Sequence, residues 1–165
     1  MKPYFIHIEW EGPLPLGEVR KKDTKKDYGV YAVYGATALY GSDKLLYIGQ
    51  AAHQVFARRV PKHWDNWMNW NADASNMTLY LGRLMLYPNQ EEDDLEDDID
   101  KAERLLIYAH MPARNSSRIS KALAKELEWV HLLNWGSHRD LMPEVSGARW
   151  TERFNSLKGF RSKNA

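Results

Sequence analysis

Cysteine is absent from this 165-residue chain. Its absence excludes disulfides and thiolate metal centres, leaves oxygen and imidazole as the metal-binding groups, and points to an intracellular, cytoplasmic setting. No apolar run approaches the roughly 20 residues a membrane span requires, which argues against a membrane partner. The opening stretch MKPYFIHIEW carries no long apolar core of the kind a signal peptide has. Internal repeats and breaks in composition are missing too, so a single domain over residues 1–165 is expected. Net charge is also small, at +1.

That small total conceals a segregation of charge. Residues 91–103 (EEDDLEDDIDKAE) hold nine acids against Lys101, a local charge of −8, which leaves the rest of the chain near +9. Basic residues gather in Arg20-Lys21-Lys22 with Lys25-Lys26, and again over 111–165, where ten Lys and Arg face five acids. A nearly neutral protein can therefore own a basic face for a polyanion, although solvated surface charge accounts equally well for any one cluster.

The apolar pattern predicts a small mixed α/β domain. Tyr4, Ile6, Ile8 and Trp10 alternate with more polar neighbours, as an edge strand does. Residues 11–27 read as a loop. Tyr28 to Tyr34 is apolar on both faces, which suits a central strand. Gly35 and Gly41-Ser42-Asp43 mark a turn, and Lys44 to Ile48 returns as a second strand. A helix over Gln54 to Trp70 is interrupted near Pro61, and Met77 to Tyr87 forms a third core strand. The acidic run then opens a helix with Leu95, Ile99, Ala102, Leu106 and Ile107 on one face, closed by Pro112. A further helix is expected over Ser117 to Asn134, with Ile119, Leu123, Leu127 and Val130 inward, and a short one near Thr151 to Leu157.

Among chemistry-bearing residues Glu103 is the most informative. Ile99 lies one turn before it and Leu106 and Ile107 one turn after, so its carboxylate leaves the apolar face of the helix. Burial of an uncompensated carboxylate is costly, so either a divalent cation or a buried arginine is expected beside it. Tyr31 and Tyr47 stand next to glycines in Gly29-Val30-Tyr31 and Tyr47-Ile48-Gly49. Tyrosine is common in strands, but glycine inside a strand marks a close approach by another group. Arg59 and His63 share a helix face one turn apart, a fork for phosphate beside a group able to take or relay a phenol proton. Asn115, after Pro112, has an ordinary role as an N-cap. Trp64, Trp67 and Trp70, three apart, suit core packing better than base stacking.

Taken in order, these pieces resemble the GIY-YIG nucleases over roughly residues 28–115. Gly29-Val30-Tyr31 and Tyr47-Ile48-Gly49 stand for the two halves of the name motif. Arg59-Val60 with His63 resembles the arginine helix, and Glu103-Arg104-Leu105-Leu106-Ile107 with Pro112 and Asn115 resembles the glutamate and asparagine segment. The spacing of Arg59 to His63 and of Glu103 to Asn115 looks more like the restriction-endonuclease branch. The connection between Tyr31 and Tyr47 is longer than is usual there, which implies a longer turn around Ala36 to Asp43. The interval before Arg59 leaves Arg58 as an alternative phosphate ligand.

The resemblance implies a small three-stranded antiparallel sheet flanked by helices, with an extra N-terminal strand and a C-terminal helical extension over 116–165. It implies hydrolysis of DNA phosphodiester bonds with one Mg²⁺ (or Mn²⁺) on Glu103. Tyr31 or Tyr47 would help activate water, Arg59 would clamp the phosphate, His63 would assist a tyrosine and Asn115 would support the site. Cutting both strands from one site calls for a homodimer or successive nicks. Two rival expectations are a nuclease fold that only holds nucleic acid or a protein, and a DNA-mimic domain built on the acidic run.

Overall fold

Strands β1 (Tyr4–Leu14), β2 (Gly29–Thr37), β3 (Gly41–Ala51), β4 (Thr78–Leu84), β5 (Val130–Gly136) and β6 (Glu144–Ser146) form one sheet in the order β3-β2-β4-β1-β5-β6. This is seen in a computed structural model that describes residues 2–22, 27–71, 74–86, 92–115 and 123–150. The β1/β5 pair is parallel and the other pairs are antiparallel. Helices α1 (Leu16–Lys21), α2 (Phe56–Arg59), α3 (Pro61–Asn66) and α4 (Glu92–His110) complete the frame.

The expected small three-stranded sheet is therefore wrong. Strands β3, β2 and β4 do pair antiparallel, but they are half of a six-stranded mixed sheet. The N-terminal strand is no edge: β1 lies between β4 and β5. Its alternation is genuine, with Ile6, Ile8 and Trp10 buried and Phe5 exposed. Alternation reports that one face of a strand is covered, and is silent about whether its two edges are paired.

The helical extension is also overturned where it is described. Residues 125–129 form a 3-10 turn, and Val130–Gly136 is strand β5. Val130, Leu132 and Asn134 are buried while His131, Leu133 and Trp135 are more open, a period of two. Leu127 and Val130 matched a helical period by coincidence, and the paired edge of β1 decided the outcome. The expected helix near Thr151 to Leu157 lies outside the described residues, as do residues 117–122.

Two cores sandwich the sheet. On one face Ile99, Ala102, Leu105 and Leu106 of α4 pack on Ile6, Ile8, Val30, Ala32 and Ile48. On the other, Val19 of α1 and Phe56 of α2 join Val60 and Met68 over Tyr31, Val33, Leu79 and Leu81. Pro61 splits the arginine helix as its missing N–H requires, giving α2 and then α3. Polar ties hold the layers in place. Arg83 of β4 donates to Asp27 at 2.5 and 3.0 Å and to Glu11 of β1 at 2.9 Å. The Tyr4 hydroxyl donates to Asp98 of α4 at 2.7 Å. Among the described residues no helix is long and apolar enough to cross a membrane.

Candidate active site

Strands β2 and β3 form a long hairpin whose register places Tyr31 opposite Gly49 and Val33 opposite Tyr47. The extra residues of this connection lengthen the strands instead of the turn, since Thr37 pairs with Gly41. Both tyrosines thus project from one face of neighbouring strands, with ring centroids 6.1 Å apart. Gly49 makes this possible. A Cβ there would stand 2.5 Å from the Tyr31 hydroxyl oxygen and 2.6 Å from Cε1 of Tyr47, closer than atoms can sit. Gly29, at φ +151°, takes a backbone conformation open only to glycine where β2 begins.

Helix α3 carries His63 onto the same pair. Its Nε2 lies 2.6 Å from the Tyr31 hydroxyl, and its ring centroid is 4.9 Å from that of Tyr47. Tyr31 is fully buried, and burial together with Tyr47 pushes its phenol well above the usual range. The Arg59 guanidinium opposes that rise, and the Glu103 carboxylate adds to it. Burial and the neighbouring Arg59 charge lower the His63 imidazole to about 4, so it is neutral at physiological pH.

Arg59, not Arg58, is the arginine tied to this pocket. Its Nε donates to the Gln50 carbonyl at 3.3 Å, whereas Arg58 is exposed at the surface. Gln50 in turn donates from Nε2 to Asp100 at 3.3 Å, linking the end of β3 to α4 one turn before Glu103. Glu103 is 5% exposed, on the apolar face its spacing predicted, and its charge acts on Tyr31.

The Asn115 side chain reaches strand β3; the helix start it was expected to cap lies outside the described residues. Its Oδ1 accepts from the Ile48 N–H at 2.9 Å and its Nδ2 donates to the Ile48 carbonyl at 2.8 Å. The Arg114 N–H donates to the Leu46 carbonyl at 2.9 Å. Strand β3 is an edge, and these two residues satisfy its outward main-chain groups as a neighbouring strand would. The clamp sits on the residue between Tyr47 and Gly49.

Tyr31, Tyr47 and His63 are in mutual ring contact, the charges of Arg59 and Glu103 reach Tyr31, and Asn115 braces strand β3 beside Tyr47. Comparison with family models, curated proteins and solved structures finds no match to this chain. Its chemistry is read from the pocket itself.

Three contributors escaped the motif reading. Gln50 follows Gly49 directly and tethers Arg59. Trp67, treated only as one of three regularly spaced tryptophans, donates from Nε1 to His63 Nδ1 at 3.2 Å. Arg114 stacks its guanidinium 4.7 Å above the Trp67 ring. The signal available for Trp67 was its place four residues after His63, one helical turn on. Trp70, by contrast, is 81% exposed.

No group of three His, Cys, Asp or Glu side chains suited to a metal occurs among the described residues, so Glu103 is at most a single-carboxylate ligand. One carboxylate fits Mg²⁺, which keeps several waters and takes further oxygens from substrate phosphates. Beside the pocket, Gln50, His53, Glu96, Asp97 and Asp100 line a cavity of about 330 Å³ whose charge is mainly acidic.

Proposed function

We propose that the protein is a metal-dependent endonuclease that hydrolyses DNA phosphodiester bonds. The observation that supports this reading is the contact of two phenols with a neutral imidazole, within reach of the charges of Arg59 and the buried Glu103. A packed core has no need of that set, and each member has a task in phosphoryl transfer. Arg59 meets the phosphate and stabilises charge as it builds on the non-bridging oxygens. The phenols would orient the attacking water, and one that has first given its own proton to solvent would take the water's, with His63 donating to Tyr31. Glu103 holds Mg²⁺ or Mn²⁺, which supplies Lewis-acid polarisation of the phosphoryl group when bound. Arg58, Lys62 and Arg114 are exposed and suit a DNA backbone, while the acidic residues of α4 repel it. A second copy of the chain would serve double-strand cutting.

Plasmid nicking with and without Mg²⁺ tests the proposal. The protein should convert supercoiled to open-circular DNA only with divalent cation, and Glu103→Ala should abolish conversion. Salt-sensitive DNA binding with no cleavage in Mg²⁺, Mn²⁺ or Co²⁺ would favour the binding-module reading instead.

A further inference from the structure

His63 is held from both sides, and the two contacts are not equivalent. At Nδ1 the partner is the Trp67 indole N–H, 3.2 Å away. An indole nitrogen can only donate, so Nδ1 must accept and carries no hydrogen. In a neutral imidazole the hydrogen then sits on Nε2, the atom 2.6 Å from the Tyr31 hydroxyl. Tyr31 consequently receives a hydrogen bond from His63 and cannot give its own hydrogen to that ring.

We infer that Trp67 sets the tautomer of His63 and so fixes the direction of a hydrogen-bond chain running Trp67 to His63 to Tyr31. The Tyr31 and Tyr47 rings are neighbours on one face of the hairpin, with centroids 6.1 Å apart. Two features support the inference. Trp67 is half-buried, His63 is buried and Tyr31 is fully buried, so the chain runs from a half-open indole into the interior. Arg114 stacks on Trp67, and its main chain is anchored to β3 through Leu46. That stacking fixes the indole and makes its N–H a stronger donor.

The consequence for chemistry rests on the nuclease reading of this pocket. His63 does not deprotonate Tyr31 in the resting protein. It donates to the Tyr31 oxygen and would stabilise a phenolate there; a phenol that has first lost its own proton to solvent can take the proton of the attacking water, giving phenol and hydroxide. Trp67 is thus a positioning residue: it acts through His63 and touches no substrate.

The test reads the imidazole directly in the full chain, free of metal and DNA, so it is independent of cleavage. Nitrogen-15 long-range spectra, with the His63 signal assigned through His63→Gln, should show the Nε2–H tautomer dominating on the order of tenfold, the scale of one hydrogen bond. Replacing Trp67 by 3-benzothienylalanine keeps the ring volume and deletes only the donor, and Trp67→Phe deletes it more coarsely. In both, the Nδ1–H fraction should rise about five- to tenfold. A wild-type protein in the Nδ1–H form, or a tautomer ratio indifferent to the benzothienyl replacement, overturns the inference. If nicking is present, the benzothienyl protein should lose kcat while KM for DNA holds. If nicking is absent, the nuclease reading fails and the tautomer result stands by itself.

Discussion

Asn115 grips both main-chain groups of Ile48, at 2.9 and 2.8 Å, and so repairs the open edge of β3 between the residues that carry the site. A side-chain amide is a peptide group in miniature, with one donor and one acceptor arm set to meet an N–H and a C=O together. The clamp couples stability to the proposed chemistry, because the strand it steadies presents Tyr47 and makes room for Tyr31.

Asn115→Ala should destabilise the protein by about 1–3 kcal/mol, the cost of leaving buried main-chain groups unmatched. Asn115→Asp should fare little better, since a carboxylate cannot donate to the Ile48 carbonyl. Urea unfolding measures both. A midpoint equal to wild type in either variant means that water replaces the clamp without loss.

Gly49→Ala probes the room under the phenols. The added methyl would stand 2.5 Å from the Tyr31 oxygen, so the ring must shift. Overpacking of this kind costs about 1–3 kcal/mol, and the His63 contact should lengthen with it. A crystal structure of the variant with Tyr31 unmoved contradicts the tight fit.

Arg59 and Arg58 should separate cleanly in a nicking assay. Arg59→Ala should lower kcat by about 10²–10³, the usual loss for one donor to a transition-state oxyanion. Arg58→Ala should weaken DNA binding modestly and in a salt-dependent way. Equal losses in kcat for the two variants would contradict the assignment.

Acid should unfold the protein partly through its histidines. His63 and His110 are both lowered to about 4 by burial. In the unfolded chain they titrate near their ordinary value of about 6.5. Between these values the unfolded state binds more protons, so stability is full above about 6.5 and falls as pH drops toward 4. The difference in urea midpoint between wild type and His63→Gln should therefore change across that window. A difference constant from pH 7 to pH 4 shows that His63 is not held neutral by the fold.

Several features of the candidate site are legible in the sequence. Glu103 fell on the apolar face of its helix because helical periodicity is a local property, carried by Ile99, Leu106 and Ile107. Tyr31 and Tyr47 were marked by adjacent glycines, and Gly49 does admit a close approach. The approaching group is the Tyr31 phenol itself. The choice of Arg59 over Arg58 stayed open because adjacent residues point apart, and only the Gln50 carbonyl shows which one turns inward.

Composition and spacing alone established which functional groups the chain owns, which faces its helices bury and that disulfides are excluded. Tertiary structure decided the strand order, the conversion of Val130–Gly136 from expected helix to strand, the role of Asn115 and the polarity of the Trp67–His63–Tyr31 contacts. The reason is one of range. A face pattern arises between residues one or two turns apart, whereas edge pairing and hydrogen-bond direction depend on which distant partner reaches a main-chain group or ring nitrogen.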